Sequence, residues 1–322
     1  LTADGTITTL HQYSGAVRPS GPLLQANDGN FYGTTGTAGS SDIGTIFRLT
    51  PAGQYTTLYS FTGLLDGKQP QGGLIQAKDG TLYGTTAAGG NADGTGCGTI
   101  YAITLDAQFK TLHSFSLTTE GCSPLAGLIQ ASDGYLYGTL SSGGSGAVFR
   151  SSTSGAVEIL HTFSGSDGAI PDGALIEGSD GYLYGTTQQG GPSTASQGTV
   201  FKLAKSGTLT VLYSFQTGPL SIHDGAYSGT SLTSGTLILL GDGNLYGTTP
   251  FGGTDNCGTI YQVTTSGSET VIFSFPHNVE LGLGCQPFAS LLRAKNGSLY
   301  GVASSGGPQN SGLVFRLTGA TP

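Results

Sequence analysis

The feature that most constrains this chain is a phrase, Asp-Gly-x-Leu-Tyr-Gly-Thr-Thr, which recurs with small variations six times in 322 residues. A sequence that repeats at intervals of this order builds its structure from copies of one supersecondary unit, and each unit buries its apolar face against its neighbours. The chain is therefore expected to fold as an array of six similar units. The tyrosines of the phrase are Tyr32, Tyr83, Tyr137, Tyr184, Tyr246 and Tyr300.

Each unit contains four strand-like segments, here named a to d. In the second unit they cover residues 74–77, 82–86, 98–103 and 110–115. Runs rich in Leu, Ile, Thr, Tyr and Phe between Gly, Asp and Pro clusters are typical of strands, and Asp-Gly between two runs favours a tight hairpin. Four antiparallel strands repeated around an axis describe the blade of a β-propeller. The sequence thus predicts an all-β, six-bladed β-propeller forming a single domain, with blades at about 19–61, 70–115, 124–163, 171–215, 234–275, and 287–318 plus 5–13.

The two ends of the sequence complement each other. Residues 6–13 match strand d, whereas residues 291–318 supply strands a, b and c and then stop. We expect the N-terminal strand to complete the last blade, which would leave no open sheet edge there. A solenoid of stacked units is the alternative, and it would need atypical capping repeats.

The glycine after each repeat tyrosine would weaken its strand unless another group approaches closely. We expect that group to be an aromatic ring from the next blade, because strands c and d supply aromatic residues such as Tyr101 and Phe115. A second repeated position, the third of strand a, is polar in five blades. We expect these side chains to form a hydrogen-bonded girdle satisfied by water in the central tunnel, with a ring of channel-lining ligands as the alternative. The residues are Gln25, Gln76, Gln130, Glu177, Leu239 and Arg293.

The repeat resembles the bacterial GloVer tandem repeat of exported proteins that are described as choice-of-anchor proteins. The matching pattern is Gly-x-Leu-Ile-Gln-x-x-Asp-Gly-x-Leu-Tyr-Gly-Thr-Thr, then Gly-Gly, Gly-Thr-Ile-Phe-x-Leu and Leu-Tyr-Ser-Phe, and it covers all six units. The resemblance implies an exported propeller and lends no catalytic residues. The sequence begins at Leu1 and contains no Met, which fits an exported product whose signal peptide has been removed.

The four cysteines occupy equivalent repeat positions. Cys97 and Cys257 precede strand c, and Cys122 and Cys285 lie between strand d and the next strand a. Because the b–c and d–a loops of a four-stranded blade lie at the same end, the repeat selects Cys97–Cys122 and Cys257–Cys285 among three pairings. Zinc needs about four ligands per site, which neither pair offers. We predict two disulfides, no metal or other cofactor, and a secreted or cell-surface location.

Composition excludes several classes of partner. Charged residues make up 9% of the chain and the net charge is −8, whereas a nucleic-acid binder needs Lys and Arg to replace counterions. No apolar run approaches the ~20 residues of a membrane helix. We therefore expect neither nucleic acid nor membrane insertion.

The loops on the cysteine-bearing face are where we expect function to lie. The loop between Phe215 and Leu237 is longer than its counterparts, and the following b–c loop should lie beside it. An aromatic ring near a few polar groups suits a sugar or peptide ligand, although extra loop length is also commonly a tolerated insertion. The predicted ligand-binding residues are His223, Asp224, Tyr227, Phe251, Asp255, Asn256 and Asp167.

An acid-Gly-x-x-Pro pattern recurs in the d–a loops, with Asp66, Glu120 and Asp167 as its acids. Carboxylates around one rim could bind a cation or sugar hydroxyls, but a turn whose carboxylate bonds its own backbone explains the repetition better. His113 and His161 occupy a strand d position that is aromatic in other blades, which favours packing or surface roles over catalysis.

No phosphate-binding loop, His-Glu-x-x-His motif or Gly-x-Ser-x-Gly motif is present. We therefore favour a non-catalytic exported module that binds a glycan or a protein, or assembles with copies of itself into a fibre or surface layer. The alternative is a polysaccharide lyase or glycoside hydrolase that uses Asp167 and Asp224 with His223. A glycosidase needs two carboxyl groups roughly 5 to 10 Å apart.

Overall fold

The computed structural model describes residues 8–14, 17–193, 196–216, 236–276, 284–307 and 311–318. These residues form 23 strands and no helix, and thus no helix that could cross a membrane. The strands, in chain order, are β1 (Arg18–Gln25), β2 (Phe31–Thr37), β3 (Thr45–Leu49), β4 (Tyr55–Ser60), β5 (Ile75–Gln76), β6 (Leu82–Thr86), β7 (Thr99–Ile103), β8 (Phe109–Ser114), β9 (Ile129–Gln130), β10 (Leu136–Leu140), β11 (Ala147–Ser151), β12 (Val157–Thr162), β13 (Ile176–Glu177), β14 (Leu183–Thr187), β15 (Ser196–Leu203), β16 (Leu209–Gln216), β17 (Ile238–Leu239), β18 (Leu245–Thr249), β19 (Thr259–Val263), β20 (Glu269–Ser274), β21 (Leu292–Arg293), β22 (Leu299–Ala303) and β23 (Leu313–Leu317).

The strands form six sheets, each ordered as its strands follow in the chain, and these sheets are the blades of a six-bladed β-propeller. Five sheets have four strands and the sixth, β21 to β23, has three among the described residues. The predicted fold class is confirmed. The chain divides into two compact units, each larger than a blade. The first comprises residues 1–136 and 151–157 and the second residues 137–150 and 158–322, and we call these the first unit and the second unit from this point on.

The repeated phrase folds as one hydrogen-bonded turn between strands a and b. The Tyr83 hydroxyl donates to Asp79 Oδ2 at 2.8 Å, and Asp79 Oδ1 accepts from the Thr81 amide at 2.9 Å. Gly80, between them, has φ +83°, which an L side chain rarely adopts. The same aspartate–tyrosine bond forms in the first, fourth and fifth blades, through Asp28 and Tyr32, Asp180 and Tyr184, and Asp242 and Tyr246.

The glycine after each repeat tyrosine does make room for an aromatic ring, but the ring comes from strand c of the same blade. Gly84 lies directly opposite Tyr101 in the β6–β7 ladder, and a Cβ on Gly84 would be 2.6 Å from Tyr101 Cζ. Opposed residues in an antiparallel pair point to the same face, so the ring lies over the glycine. The prediction of a ring from the next blade was wrong.

Contacts between consecutive blades instead join an outer-strand phenylalanine to the strand c aromatic of the following blade. Phe61 meets Tyr101 edge to face at 5.4 Å in the first unit, and Phe215 meets Tyr261 at 5.1 Å in the second. Such pairs add about 0.5–1.5 kcal/mol to the burial of their apolar area. The interface between the first two blades also buries Tyr32, Ile46, Leu74, Leu82 and Ile103.

The glutamines of strand a are hydrogen-bonded to backbone groups, whereas Glu177 accepts from Lys205 Nζ at 2.6 Å. Gln76 Oε1 accepts from the Asn27 amide of the preceding blade at 2.8 Å, and its Nε2 donates to the Gly80 carbonyl at 2.9 Å. Gln130 bonds the Lys78 amide in the same way, also at 2.8 Å. Gln76 and Gln130 therefore join neighbouring blades, and the contribution of water in the tunnel stays a prediction.

Closure of the ring by the N-terminal strand is not confirmed. β23 pairs with β22, and Val314 on β23 is 70% exposed, whereas its counterpart Ile46 in the first blade is fully buried. Residues 8–14 carry no strand assignment. Their pairing with β23 stays a prediction.

Residues 8–14 nevertheless contact the first blade as an outer strand contacts the blade that follows it. The ring of His11 stacks on Tyr55 with centroids 4.1 Å apart. The outer strand of the first blade meets the second blade likewise, through Tyr59 stacked on Phe109 at 3.7 Å. The N-terminal segment therefore lies against the first blade in the position that strand d of the first blade takes against the second blade.

Candidate functional site

Both predicted disulfides are present. Cys97 is bonded to Cys122 with the Cα atoms 4.4 Å apart, and Cys257 is bonded to Cys285 with the Cα atoms 4.5 Å apart. The Ser123 amide also donates to the Cys97 carbonyl at 2.9 Å. The b–c loops and d–a loops thus lie at the same end of each blade. We call this end the loop face.

The acids of the d–a loops bind their own loops. Asp66 Oδ2 accepts from the Thr62 amide at 2.7 Å and from the Tyr59 hydroxyl at 3.0 Å. Glu120 Oε2 accepts from the Ser116 amide at 3.0 Å, and its Oε1 lies 2.9 Å from His113 Nε2 on strand d. The turn interpretation of the motif is correct, and its strand d partner is the position that alternates between tyrosine and histidine.

Asp167, one of the predicted ligand-binding residues, has the same structural role. Its Oδ2 is 2.8 Å from His161 Nε2, and its Oδ1 accepts from the Ser164 amide at 2.8 Å. Burial opposes ionisation of this carboxyl, but the hydrogen bonds from Ser164 and His161 outweigh it and hold the pKa of Asp167 below its usual value. Both oxygens of Asp167 thus hold the loop in place, and its contact with a ligand stays a prediction.

The other predicted ligand-binding residues divide into two groups. His223, Asp224 and Tyr227 lie outside the described residues. Phe251, Asp255 and Asn256 share one loop, in which Asn256 Oδ1 accepts from the Gly252 amide at 2.8 Å. Phe251 meets Phe288, which is 40% exposed, edge to face at 6.2 Å. Phe288 is an aromatic neighbour of this loop that the sequence analysis missed, and ligand binding by Phe251, Asp255 and Asn256 stays a prediction.

A polar pocket lies on the loop face of the first unit, and we name it the Arg18 pocket. Its volume is about 420 Å³, and it is lined by the ends of β1 and β2 and by the loop that leads into β5. Its lining residues carry hydroxyl, amide and guanidinium groups, and two of them are glycines. The lining residues are Arg18, Ser20, Gly21, Gly36, Thr37, Gln69 and Gln71.

The walls of the Arg18 pocket are fixed by backbone hydrogen bonds. The Arg18 amide donates to Thr37 Oγ1 at 3.1 Å, and the Gln69 amide donates to the Ile43 carbonyl at 2.8 Å. A Cβ on Gly36 would be 2.7 Å from Ser20 Oγ, so a larger residue there would require the Ser20 hydroxyl to rotate. The sequence signal that could have pointed here is Arg18, a cation before proline where other blades have Gln, Ser or Ile.

Asp172, on the loop face of the second unit, is a second feature that the sequence analysis missed. Gln188 Nε2 donates to Asp172 Oδ2, while Asp172 Oδ1 is buried and has no hydrogen-bond partner within the described residues. Burial, only partly offset by the bond from Gln188, raises the pKa of Asp172 to about 6. This carboxyl therefore takes up a proton near neutral pH.

We expect Asp172→Asn to stabilise the protein at pH 7 and to have little effect at pH 4. The folded state binds a proton at Asp172 more readily than the unfolded state, so the contribution of this group to stability is largest below pH 4 and is lost as the pH rises through about 6. At 1.4 kcal/mol per pKa unit, the rise in the pKa of Asp172 from 3.8 to about 6 corresponds to a gain of about 3 kcal/mol at pH 7. Urea unfolding of both proteins between pH 4 and pH 7 measures it.

The matched control is Asp42→Asn, which removes an exposed carboxylate in the first unit. The difference in unfolding free energy between Asp42→Asn and the parent protein should not change with pH in the way expected for Asp172→Asn. A constant offset between Asp172→Asn and the parent across the whole pH range would contradict the assignment.

Comparison with known proteins places the chain by sequence and by fold. The family model described as the Gloeobacter/Verrucomicrobia repeat matches residues 1–194 and 141–322. No curated protein matches the sequence. Solved structures are similar at low identity, and identities this low show a shared fold alone.

One such structure is a protein from Lactobacillus plantarum, 16% identical with a TM-score of 0.58, matched over 89% of this chain and 77% of that one. A second is a proposed oxidoreductase (glucose dehydrogenase) from Thermus thermophilus, 13% identical with a TM-score of 0.53, matched over 94% of this chain and 98% of that one. A third is TolB from Acinetobacter baumannii, 17% identical with a TM-score of 0.46, matched over 79% of this chain and 55% of that one. The chain thus spans little more than half the length of TolB.

Proposed function

This chain belongs to the Gloeobacter/Verrucomicrobia repeat family, and we propose that it is an exported, non-catalytic binding module whose loop face recognises a glycan. The observation that carries the proposal is the Arg18 pocket. A volume of about 420 Å³ lies within the range of small-ligand sites. Its hydroxyl and amide groups offer donors and acceptors of the kind that pair with sugar hydroxyls.

The state of the loop carboxylates favours binding over hydrolysis. Asp66 and Asp167 each accept hydrogen bonds from their own loop and from strand d, and Glu120 lies against His113. A glycosidase needs one carboxyl to donate a proton and a second to act as nucleophile or base. These three acids are instead committed to holding turns, which is the role expected of a repeated structural motif.

Two disulfides support an oxidising compartment, because such bonds persist outside the cytosol. None of the four cysteines lines the Arg18 pocket, so the disulfides support the exported location and not the affinity for a ligand.

A carbohydrate-active enzyme is the second candidate, and Asp172 is the observation that favours it. A carboxyl whose pKa is raised to about 6 by burial has the property required of a general acid. Incubating the protein with a panel of polysaccharides and measuring new reducing ends, or unsaturated products by their ultraviolet absorbance, tests this candidate. Turnover that Asp172→Asn abolishes would replace the binding proposal with this one.

Glycan binding is tested with an oligosaccharide array followed by calorimetry on the best ligand. We expect Gln71→Ala to weaken binding about five- to tenfold, because one hydrogen bond is worth about 1 kcal/mol. Gln108→Ala is the matched control, since Gln108 is also exposed but lies in the c–d turn at the opposite end of the same blade. An array without any bound glycan, or equal losses for both variants, would refute the proposal. Sedimentation of the unliganded protein would then show whether copies of the chain are its partner.

A further inference from the structure

We propose that the Arg18 pocket selects glycans that carry a carboxylate, that is, chains containing uronic acid residues. This inference rests on the proposed function and adds the class of sugar. The pocket combines one cation with neutral hydroxyl and amide groups. A uronic acid residue presents one planar anion among several hydroxyls, which is the complementary set.

Among the residues that the structure describes, Arg18 is the only charged one that lines the pocket. Its guanidinium makes no ion pair and no hydrogen bond within the described part of the chain, although its backbone groups bond Thr37 and Ser20. Three other cations are ion-paired in the described part of the chain: Arg150 with Glu158 at 2.6 Å, Lys202 with Asp180 at 2.8 Å, and Lys205 with Glu177 at 2.6 Å.

The overall charge makes this arrangement informative. The chain has 19 acidic residues and 11 basic ones, so acidic partners outnumber cations. No Asp or Glu with a described position lines the pocket, and the guanidinium is left available to a ligand. An anionic sugar entering the pocket therefore meets a positive charge and no carboxylate in the described pocket wall.

Guanidinium geometry favours carboxylate as the anion. The guanidinium group is planar and presents parallel N–H donors that match the two oxygens of a carboxylate, and such charge-assisted bonds are stronger than bonds between neutral groups. Around Arg18, the neutral residues Ser20, Thr37, Gln69 and Gln71 are placed to pair with ring hydroxyls. Selectivity for charge is then assigned to one residue, and affinity for the sugar ring to the others.

The experiment compares matched pairs of oligosaccharides that differ only in the carboxylate: galacturonate with galactose, glucuronate with glucose, and mannuronate with mannose oligomers. We expect the acidic member of at least one pair to bind about 10- to 100-fold more tightly, the range for hydrogen bonds to a charged group. The preference should shrink between about 50 mM and about 500 mM salt, because salt screens an exposed charge.

Three variants assign the preference to Arg18. Arg18→Gln should bring the two members of a pair to equal affinity, and Arg18→Lys should retain only part of the preference, because lysine keeps the charge but loses the two-pronged geometry. Lys110→Gln is the control, since it removes the same charge from an exposed position on β8 in the same unit. Arg18 is itself exposed, so these variants should unfold at the temperature of the parent protein.

The outcomes separate this inference from the function on which it rests. If every oligosaccharide pair that binds does so without preference for its acidic member, or if Lys110→Gln abolishes the preference as fully as Arg18→Gln does, the selectivity is refuted and glycan binding stands. If neither member of any pair binds, the proposed function fails and the inference fails with it.

Discussion

Replacing Gly98 by alanine is expected to destabilise the protein by about 3 kcal/mol, although the substitution adds only one methyl group. Gly98 has φ +102°, a region that costs an L side chain roughly 1–2 kcal/mol. A Cβ there would also overlap the carbonyl oxygen of Thr86 and lie 2.8 Å from Pro124 Cδ. Neither neighbour is a flexible side-chain end that can move aside, and overpacking of this kind costs about 1–3 kcal/mol.

Gly80→Ala is the matched control for this substitution. Gly80 also has a positive φ, +83°, but nothing among the described residues lies within 4 Å of the position that a Cβ would take. Its replacement should therefore cost only the conformational penalty, about 1 kcal/mol. Urea unfolding of the three proteins gives the comparison, and equal midpoints for the two variants would show that the overlap at Gly98 is relieved without cost.

The position of Gly98 recurs in every blade and explains the Gly-Thr-Ile start of strand c. Its carbonyl accepts from the Phe115 amide at 2.9 Å and so anchors the end of strand d, as Gly44 does for Phe61 at 3.1 Å. Each of these glycines lies close to the carbonyl of strand b, and four of them also lie close to the next blade's proline. The set is Gly44, Gly98, Gly146, Gly198, Gly258 and Gly312, all with positive φ.

Sequence repetition predicted the elements well because six copies report on the same local structure. The strands, the blade type and both cysteine pairings follow from positions that are equivalent in every unit. What repetition did not supply was the partner of each repeated group. The ring over Gly84 comes from Tyr101 of the same blade, and the partner of Asp79 is Tyr83. Such pairings depend on strand register and turn geometry, which a spacing alone does not contain.

The candidate site was harder to predict for the opposite reason. Arg18 and Asp172 each depart from the repeat at one position, and a single departure in a sequence looks like ordinary variation. Their significance comes from their surroundings: Arg18 faces a pocket whose described wall holds no acid, and Asp172 has one buried oxygen without a partner in the described structure. Burial and pocket shape are properties of the packed blades, so the sequence contains the residues but not the reason to select them.

Removing the first disulfide, as Cys97→Ala with Cys122→Ala, is expected to destabilise the protein by about 3 kcal/mol. The bond closes a loop with a sequence separation of 25 residues, and opening it returns that loop entropy to the unfolded chain. Removing the second disulfide, with a separation of 28 residues, should have an effect of similar size. Urea unfolding of the two double variants, each beside the oxidised parent, measures both effects.

Glycan binding separates stability from recognition in the same variants. Neither Cys97 nor Cys122 lines the Arg18 pocket, whose walls are held by bonds such as that between the Arg18 amide and Thr37. The variant without the first disulfide should therefore bind its ligand with unchanged affinity at temperatures where it is folded. An unchanged urea midpoint would instead mean that backbone bonds such as that from the Ser123 amide to the Cys97 carbonyl hold the loop face without help. In that case the first disulfide would contribute little to stability. Its formation, and not its effect on folding, would then be what supports an exported location.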